Sequence, residues 1–178
     1  MTTLPTPLER APAFLAGDRN VLLKREDVHE LGTFKWRGAL PMLARYREEG
    51  AATVVTASTG NHGAVTAWAA KRLGLRAVVY APEEASHAKL ELIGGLGAEL
   101  RLAGADEQGL PFFEDGAEPE QYQGYGTIAD EILDQPDEPP AAVVVPVGNG
   151  ALLGGIGLRV CDLSPDTLRI GVAAKDAP

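Results

Sequence analysis

The sequence predicts an α/β protein: open parallel sheets with helices on both faces. Two observations carry that prediction. Between residues 53 and 102, β-branched or apolar runs alternate with helix-like runs in the order β-α-β-α-β, an alternation that implies parallel strands joined by crossover helices. Twice, at Thr53–Gly63 and at Ala141–Gly157, a strand-like run passes through a Gly- and Asn-bearing turn into a helix. Such a turn points backbone N–H groups and the positive end of the helix dipole outward, ready for an anion.

Composition narrows the ligand. At 178 residues with 45% hydrophobic content, the chain can bury one sizeable core or form two small lobes sharing a cleft. A net charge of −9 and the lack of any Lys/Arg cluster argue against nucleic acid and anionic membranes, which leaves a small molecule as the expected partner. The longest apolar runs, such as Ala141–Val147, fall well below the roughly 18 residues that span a bilayer. The first residues lack a basic region followed by an apolar one, so a cytoplasmic chain is expected. The single cysteine, Cys161, permits neither an internal disulfide nor a cysteine-based metal site. His29, His62 and His87 have no ligand spacing, so no metal site is expected.

Met1–Asn20 carries Pro5, Pro7 and Pro12 and should run extended, ahead of a first strand at Val21–Lys24. Gly32 then breaks the chain, Thr33 is placed to cap a helix over Trp36–Glu49, and Lys35 falls in its first turn. Pro41 is tolerable there only close to the helix start. Thr53–Thr56 reads as a buried strand and Ala64–Leu73 as a helix with a small-residue face, followed by strand Arg76–Tyr80, helix Ser86–Ile93 and strand Glu99–Leu102. Only seven residues separate Leu102 from the apolar Leu110–Phe113, too few for a parallel crossover between them. Either those two segments run antiparallel or a helix is missing. Gly124-Tyr125-Gly126 leads into helix Thr127–Leu133, and an acidic, proline-rich loop over Pro136–Pro140 marks a return between lobes. Ala141–Val147 is a strongly β stretch, a helix begins near Ala151, and Arg169–Ala173 is the last strand.

Three stretches carry chemistry. In the first turn, Ser58, Thr59, Asn61 and His62 add side chains able to hydrogen-bond a carboxylate or phosphate; the plainer alternative is a helix capped by Ser or Thr. Lys35 near a helix N-terminus faces the positive end of the dipole. Together with desolvation, that would favour the neutral amine Schiff-base chemistry requires; the alternative is a surface lysine. In the second turn, Gly148-Asn149-Gly150-Ala151 resembles a phosphate cradle, or else a glycine turn packed on a neighbouring helix. It lacks the Gly-Lys-Ser/Thr ending of a nucleoside-triphosphate loop and misses the dinucleotide fingerprint by one residue. A non-catalytic nucleotide-binding module, with Asp176 on a ribose hydroxyl, is therefore an alternative.

Taken in order, Thr6-Pro7-Leu8, Leu23-Lys24-Arg25-Glu26, Gly32-Thr33-Phe34-Lys35-Trp36-Arg37-Gly38-Ala39, Ser58-Thr59-Gly60-Asn61-His62-Gly63, Gly124-Tyr125-Gly126-Thr127-Ile128 and Pro146-Val147-Gly148-Asn149-Gly150 resemble the second fold type of pyridoxal-phosphate enzymes. That family includes the serine/threonine dehydratases, threonine synthase and cysteine synthase. The resemblance implies a tryptophan synthase β-like fold, with residues 1–40 and 135–178 in the large cofactor domain and 41–134 in the small one. By resemblance, Lys35 would hold pyridoxal 5'-phosphate as a Schiff base and shuttle the substrate's α-proton. Asn61 would bond the ring's phenolic oxygen. Gly148, Asn149, Gly150 and Ala151 would bind the phosphate, and Ser58, Thr59, Gly60 and His62 would seat the substrate carboxylate. The implied reaction is loss of water and ammonia from serine or threonine to give a 2-oxo acid. Asn149 and Ala57-Ser58-Thr59-Gly60-Asn61 lean instead toward threonine synthase-like β- or γ-replacement.

The chain departs from the family pattern in two further ways. Gly104–Gly109 stands where the family has a longer helix, and the family's large domain continues well past the last residue here, so its C-terminal part is absent. The expected consequences are a bare Arg169–Ala173 strand, exposed apolar surface around Val143–Val145, and weak cofactor binding unless a homo-oligomer or a partner chain covers the open side.

Overall fold

The computed structural model describes residues 5–82, 85–102 and 110–175, and the chain divides into two compact units. One holds residues 35–125 and the other holds 1–34 with 126–178. The expectations placed on Gly104–Gly109 and on Asp176 lie outside the described residues.

The unit of residues 35–125 is the β-α-β-α-β block. It contains helix α2 (Trp36–Glu48), strand β3 (Thr53–Ala57), helix α3 (Asn61–Leu73), strand β4 (Arg76–Ala81), helix α4 (His87–Gly95) and strand β5 (Glu99–Leu102). The three strands form a parallel sheet in the order β3-β4-β5, with Thr53 opposite Arg76 and Val78 opposite Glu99. β3 and β4 are almost wholly buried, as a run of Val, Thr and Ala in a covered parallel sheet should be. The small residues Ala64 and Ala67 let α3 lie close against Val79 of the sheet and Ile93 of α4. Gly74 ends α3 in the left-handed conformation, at φ +70°, which only glycine adopts at little cost.

The short 102–110 connection has a different outcome from the antiparallel alternative. Leu110–Phe113 does not return beside β5. It adds to the far edge of the sheet in a parallel bridge of Phe112 with Val55, in which the Val55 N–H donates to Pro111 O (2.9 Å) and the Phe113 N–H to Val55 O (2.7 Å).

Two expectations about helices are also corrected. Pro41 sits inside α2, past the first turn. Helix α5 (Pro119–Asp134) starts eight residues before Thr127, so Gly124-Tyr125-Gly126 is helical and not an approach to a helix. Gly124 is there for a close approach: a Cβ on it would stand 2.0 Å from the carbonyl oxygen of Arg37. That carbonyl is the one a residue at 41 would bond within α2, and a proline has no N–H to give it.

In the other unit the N-terminal stretch is more ordered than its prolines suggest. β1 (Leu8–Arg10) pairs antiparallel with β2 (Leu22–Lys24), and the short helix α1 (Ala13–Ala16) lies between them. Thr6, just ahead of β1, is tied down on several sides. Lys24 Nζ donates to Thr6 O and pairs with Glu131 Oε2, both at 2.5 Å, while the Thr6 N–H and hydroxyl donate to Glu131 and Glu26. β6 (Ala142–Val147), α6 (Ala151–Leu163) and β7 (Leu168–Ala173) follow as a parallel pair with its crossover helix. Val143 and Val145 face a core of Ile128, Ile132, Ile156 and Val160, whereas Val144 on the opposite face is 61% exposed. The expected bare surface is therefore Val144 with the exposed β7 residues Leu168, Ile170 and Val172.

Candidate active site

A cavity of about 460 Å³ opens at the C-terminal end of β3, lined by Lys35, Thr56, Ala57, Ser58, Gly60, Asn61, His62 and the 112–115 segment. That volume suits a small ligand. Its position follows from topology, because parallel strands feeding helices leave their crevices at the strands' carboxyl ends. Of the residues singled out in the sequence, Lys35, Ser58, Gly60, Asn61 and His62 come together here, while Thr59 lies half-buried in the same turn and outside the lining.

The 58–63 turn is held by its backbone. The Ser58 N–H donates to Tyr80 O of β4 (3.0 Å), and the Gly60 N–H donates to the Ser58 hydroxyl (3.2 Å). The helix cap is Gly60 with no side-chain cap bond, so the alternative of a Ser- or Thr-capped helix does not hold. The N–H groups of the first turn of α3 have no acceptor within the helix. Gly63 lets the turn close: a Cβ there would stand 2.9 Å from Ser58 O.

Lys35 is the N-cap residue of α2 and not a first-turn residue, so the N-cap position falls at Lys35 and not at the buried Thr33. The dipole argument also left out a charge. Lys35 Nζ is ion-paired with Asp115 Oδ2, both side chains being about a quarter exposed. Asp115 is the functional candidate that sequence reasoning missed. The only available signal was an apolar run ending in two acids, Phe112-Phe113-Glu114-Asp115, and it gained meaning once the run bridged to Val55.

His62, with 8% of its side chain exposed, sits between these groups. Its Nε2 is 2.9 Å from Phe113 O. A carbonyl only accepts, so Nε2 carries the proton and Nδ1 of the neutral ring faces Asp115 Oδ1 at 3.8 Å. Burial pushes the imidazole below its ordinary value; the Phe113 bond and Asp115 oppose that shift, while Lys35 adds to it. Phe113 O also accepts from the Thr56 hydroxyl (2.8 Å), and the Phe113 ring packs on His62. From α5, the Tyr125 phenol lies buried near Asp115, and burial raises it far above the usual phenol range.

In the other unit, the 148–151 turn joins β6 to α6. Gly150 caps α6 at φ +89°, and Asn149 Oδ1 accepts the Ala151 N–H at 3.2 Å. Among the described residues, no atom beyond the adjacent residues of the turn stands within 4 Å of where a Cβ would project from Gly148 or Gly150. The turn is therefore not filled by a neighbouring helix, and its open glycines ahead of a helix N-terminus fit a phosphate. In the first unit, the Lys35 amine in a ligand-sized cavity fits the aldehyde of pyridoxal phosphate. Among the described residues, no helix is long and apolar enough to cross a membrane, and no group of acids, His or Cys could hold a metal.

Comparison with known proteins places the chain. It is 37% identical to a biosynthetic L-threonine dehydratase of Burkholderia multivorans over 97% of its length, and 34% identical to that of Escherichia coli, again over 97%. It spans 38% and 36% of those two relatives. Its fold overlays a threonine deaminase of Solanum lycopersicum with a TM-score of 0.87 at 33% identity, covering 96% of this chain and 51% of that one. A pyridoxal 5'-phosphate-dependent aspartate racemase overlays with a TM-score of 0.85 at 31% identity, over 95% of this chain and 57% of that one. The family of pyridoxal-phosphate-dependent enzymes matches over residues 1–178, and the chain belongs to it.

Proposed function

We propose that the chain carries the cofactor and substrate seats of an ammonia-lyase that removes water and ammonia from serine or threonine to leave a 2-oxo acid. The observation that carries this reading is the Lys35 amine in one cavity with the uncapped N-terminus of α3, in a chain similar to threonine dehydratases. When bound, pyridoxal phosphate supplies an electron sink for the substrate's Cα–H bond. Lys35, which lines the cavity from the start of α2, would hold it and would move the α-proton at its Nζ. Asn61 bonds the ring oxygen, and Gly148, Asn149, Gly150 and Ala151 hold the phosphate. Ser58, Thr59, Gly60 and His62 seat the substrate carboxylate on the N–H groups of α3. In this reading residues 1–40 and 135–178 belong to the larger, cofactor-binding domain and 41–134 to the smaller, in a cytoplasmic protein that self-associates.

The test starts with pyridoxal phosphate and borohydride, then peptide mass mapping, with Lys35→Ala as control. The reading requires the reduced adduct on Lys35; an adduct elsewhere, or none, defeats it. L-threonine and O-phosphohomoserine are then supplied separately. 2-Oxobutanoate from the first without phosphate from the second supports elimination; the reverse supports threonine synthase-like replacement.

A further inference from the structure

One carboxylate serves two cationic candidates. Asp115 Oδ2 is bonded to Lys35 Nζ, and Asp115 Oδ1 faces Nδ1 of His62 at 3.8 Å. The imidazole cannot turn to improve that contact without losing its Nε2 bond to Phe113 O. Phe113 is itself fixed to β3 by its N–H and to Thr56 through its carbonyl. The three side chains come from the start of α2, the first turn of α3 and the 112–115 edge segment, and all line the same cavity.

We propose that Asp115 is a positioning residue shared by Lys35 and His62: it holds the Lys35 ammonium at rest, and becomes the counter-ion of a protonated His62 when Lys35 leaves it. This rests on the reading of Lys35 as the cofactor lysine, since an amine engaged by a carbonyl ligand must give up the geometry of its ion pair. A carboxylate whose ammonium partner withdraws exerts a stronger net field on a nearby imidazole, so the departure of Lys35 favours the charged form of His62. Electrostatics agree in sign: Asp115 favours the imidazolium and Lys35 opposes it. Among the described residues, Glu114 and Tyr125 also face this set. Glu114 also favours the imidazolium, and Tyr125 stays protonated through burial. A consequence for the carboxylate seat follows. His62 gains positive charge as the lysine is engaged, at the helix end where an anionic substrate group would arrive.

The experiment is an NMR titration of the His62 ring in the intact chain without cofactor, assigned with His62→Gln and referenced to His29 and His87. Lys35→Met imitates the departed amine and should move the His62 midpoint upward, while Asp115→Asn should move it downward. The decisive comparison is the double variant. If Asp115 mediates the coupling, Lys35→Met shifts His62 less in the Asp115→Asn background than in the native one. Equal shifts in both backgrounds would mean that Lys35 acts on His62 through its field alone, and would overturn the proposal, as would a His62 that responds to neither substitution. Lys35→Gln and Asp115→Ser serve if a first variant fails to fold, with the His29 and His87 midpoints as the check. Asp115→Glu should recover part of the native midpoint. Failure here is separable from failure of the functional reading, which is judged by where borohydride fixes the cofactor.

Discussion

Gly124→Ala should destabilise, although helix propensity alone has the opposite sign. In a helix interior the exchange normally stabilises by about 0.8–1 kcal/mol. Here the new Cβ would lie 2.0 Å from Arg37 O and 2.9 Å from Gly38 Cα. Ordinary contact begins at 3.4 Å, so the gap to Arg37 O falls short by 3.4 − 2.0 = 1.4 Å. Both obstacles are backbone, and no rotamer change relieves them. Overpacking costs typically about 1–3 kcal/mol, and this case belongs at the upper end, for a net loss of about 2 kcal/mol. With a urea slope near 2 kcal/mol/M, the midpoint should fall by about 1 M. Gly157→Ala is the control, since α6 has open space there and ordinary φ. Its midpoint should rise by a few tenths molar, from the helix propensity alone. A Gly124→Ala midpoint at or above wild type, with Gly157→Ala behaving as expected, would refute the close backbone approach. Arg37 lies two residues after Lys35, so the same displacement should reduce cofactor capture at Lys35.

Two further outcomes can be checked by unfolding. Because burial holds His62 below its usual value of 6.5, the native state resists a proton that the unfolded chain accepts. The stability tied to neutral His62 is complete above the unfolded value and is lost as pH falls from there toward the depressed folded value. Urea midpoints measured from pH 8 to pH 5 should fall more steeply in wild type than in His62→Gln; parallel slopes would remove His62 from the account. Lys24→Met removes one ion-pair partner of the Glu131 carboxylate, and because Glu131 keeps 19% exposure the loss should be about 2 kcal/mol, less than for a fully buried pair. Adding Glu131→Gln should recover part of it in the same urea assay, and no recovery would show that Lys24 acts through packing instead.

The sheet of residues 53–102 was legible because its strands are covered and β-branched while its helices carry small residues at helical spacing, so pattern and burial agree. The 58–63 turn and Lys35 were legible as chemistry for the same reason: polar residues stand where a strand ends and a helix begins. The start of α5 was hidden because Gly124 and Gly126 are breakers by local propensity, and only contact with Arg37 and Gly38 explains glycine at 124 within a helix. Thr33 looked like a cap by residue type, yet it is buried and the helix starts after Lys35. Asp115 was invisible since its partners lie 80 residues away at Lys35 and across a bridge to β3 that no local pattern announces.

Phe113 joins the sheet edge to the cavity through its two flanking peptide groups. Its N–H closes the edge of β3, and its carbonyl takes both the Thr56 hydroxyl and the ring of His62. The contact with His62 spans 51 residues and the neighbouring Lys35–Asp115 pair spans 80, so each carries the loop-closure entropy of a long-range contact. The N–H and the carbonyl belong to successive planar peptide groups joined through the Phe113 Cα, so each can open without the other. Amide exchange at Phe113 therefore reads the sheet edge, while the ring of His62 reads the cavity.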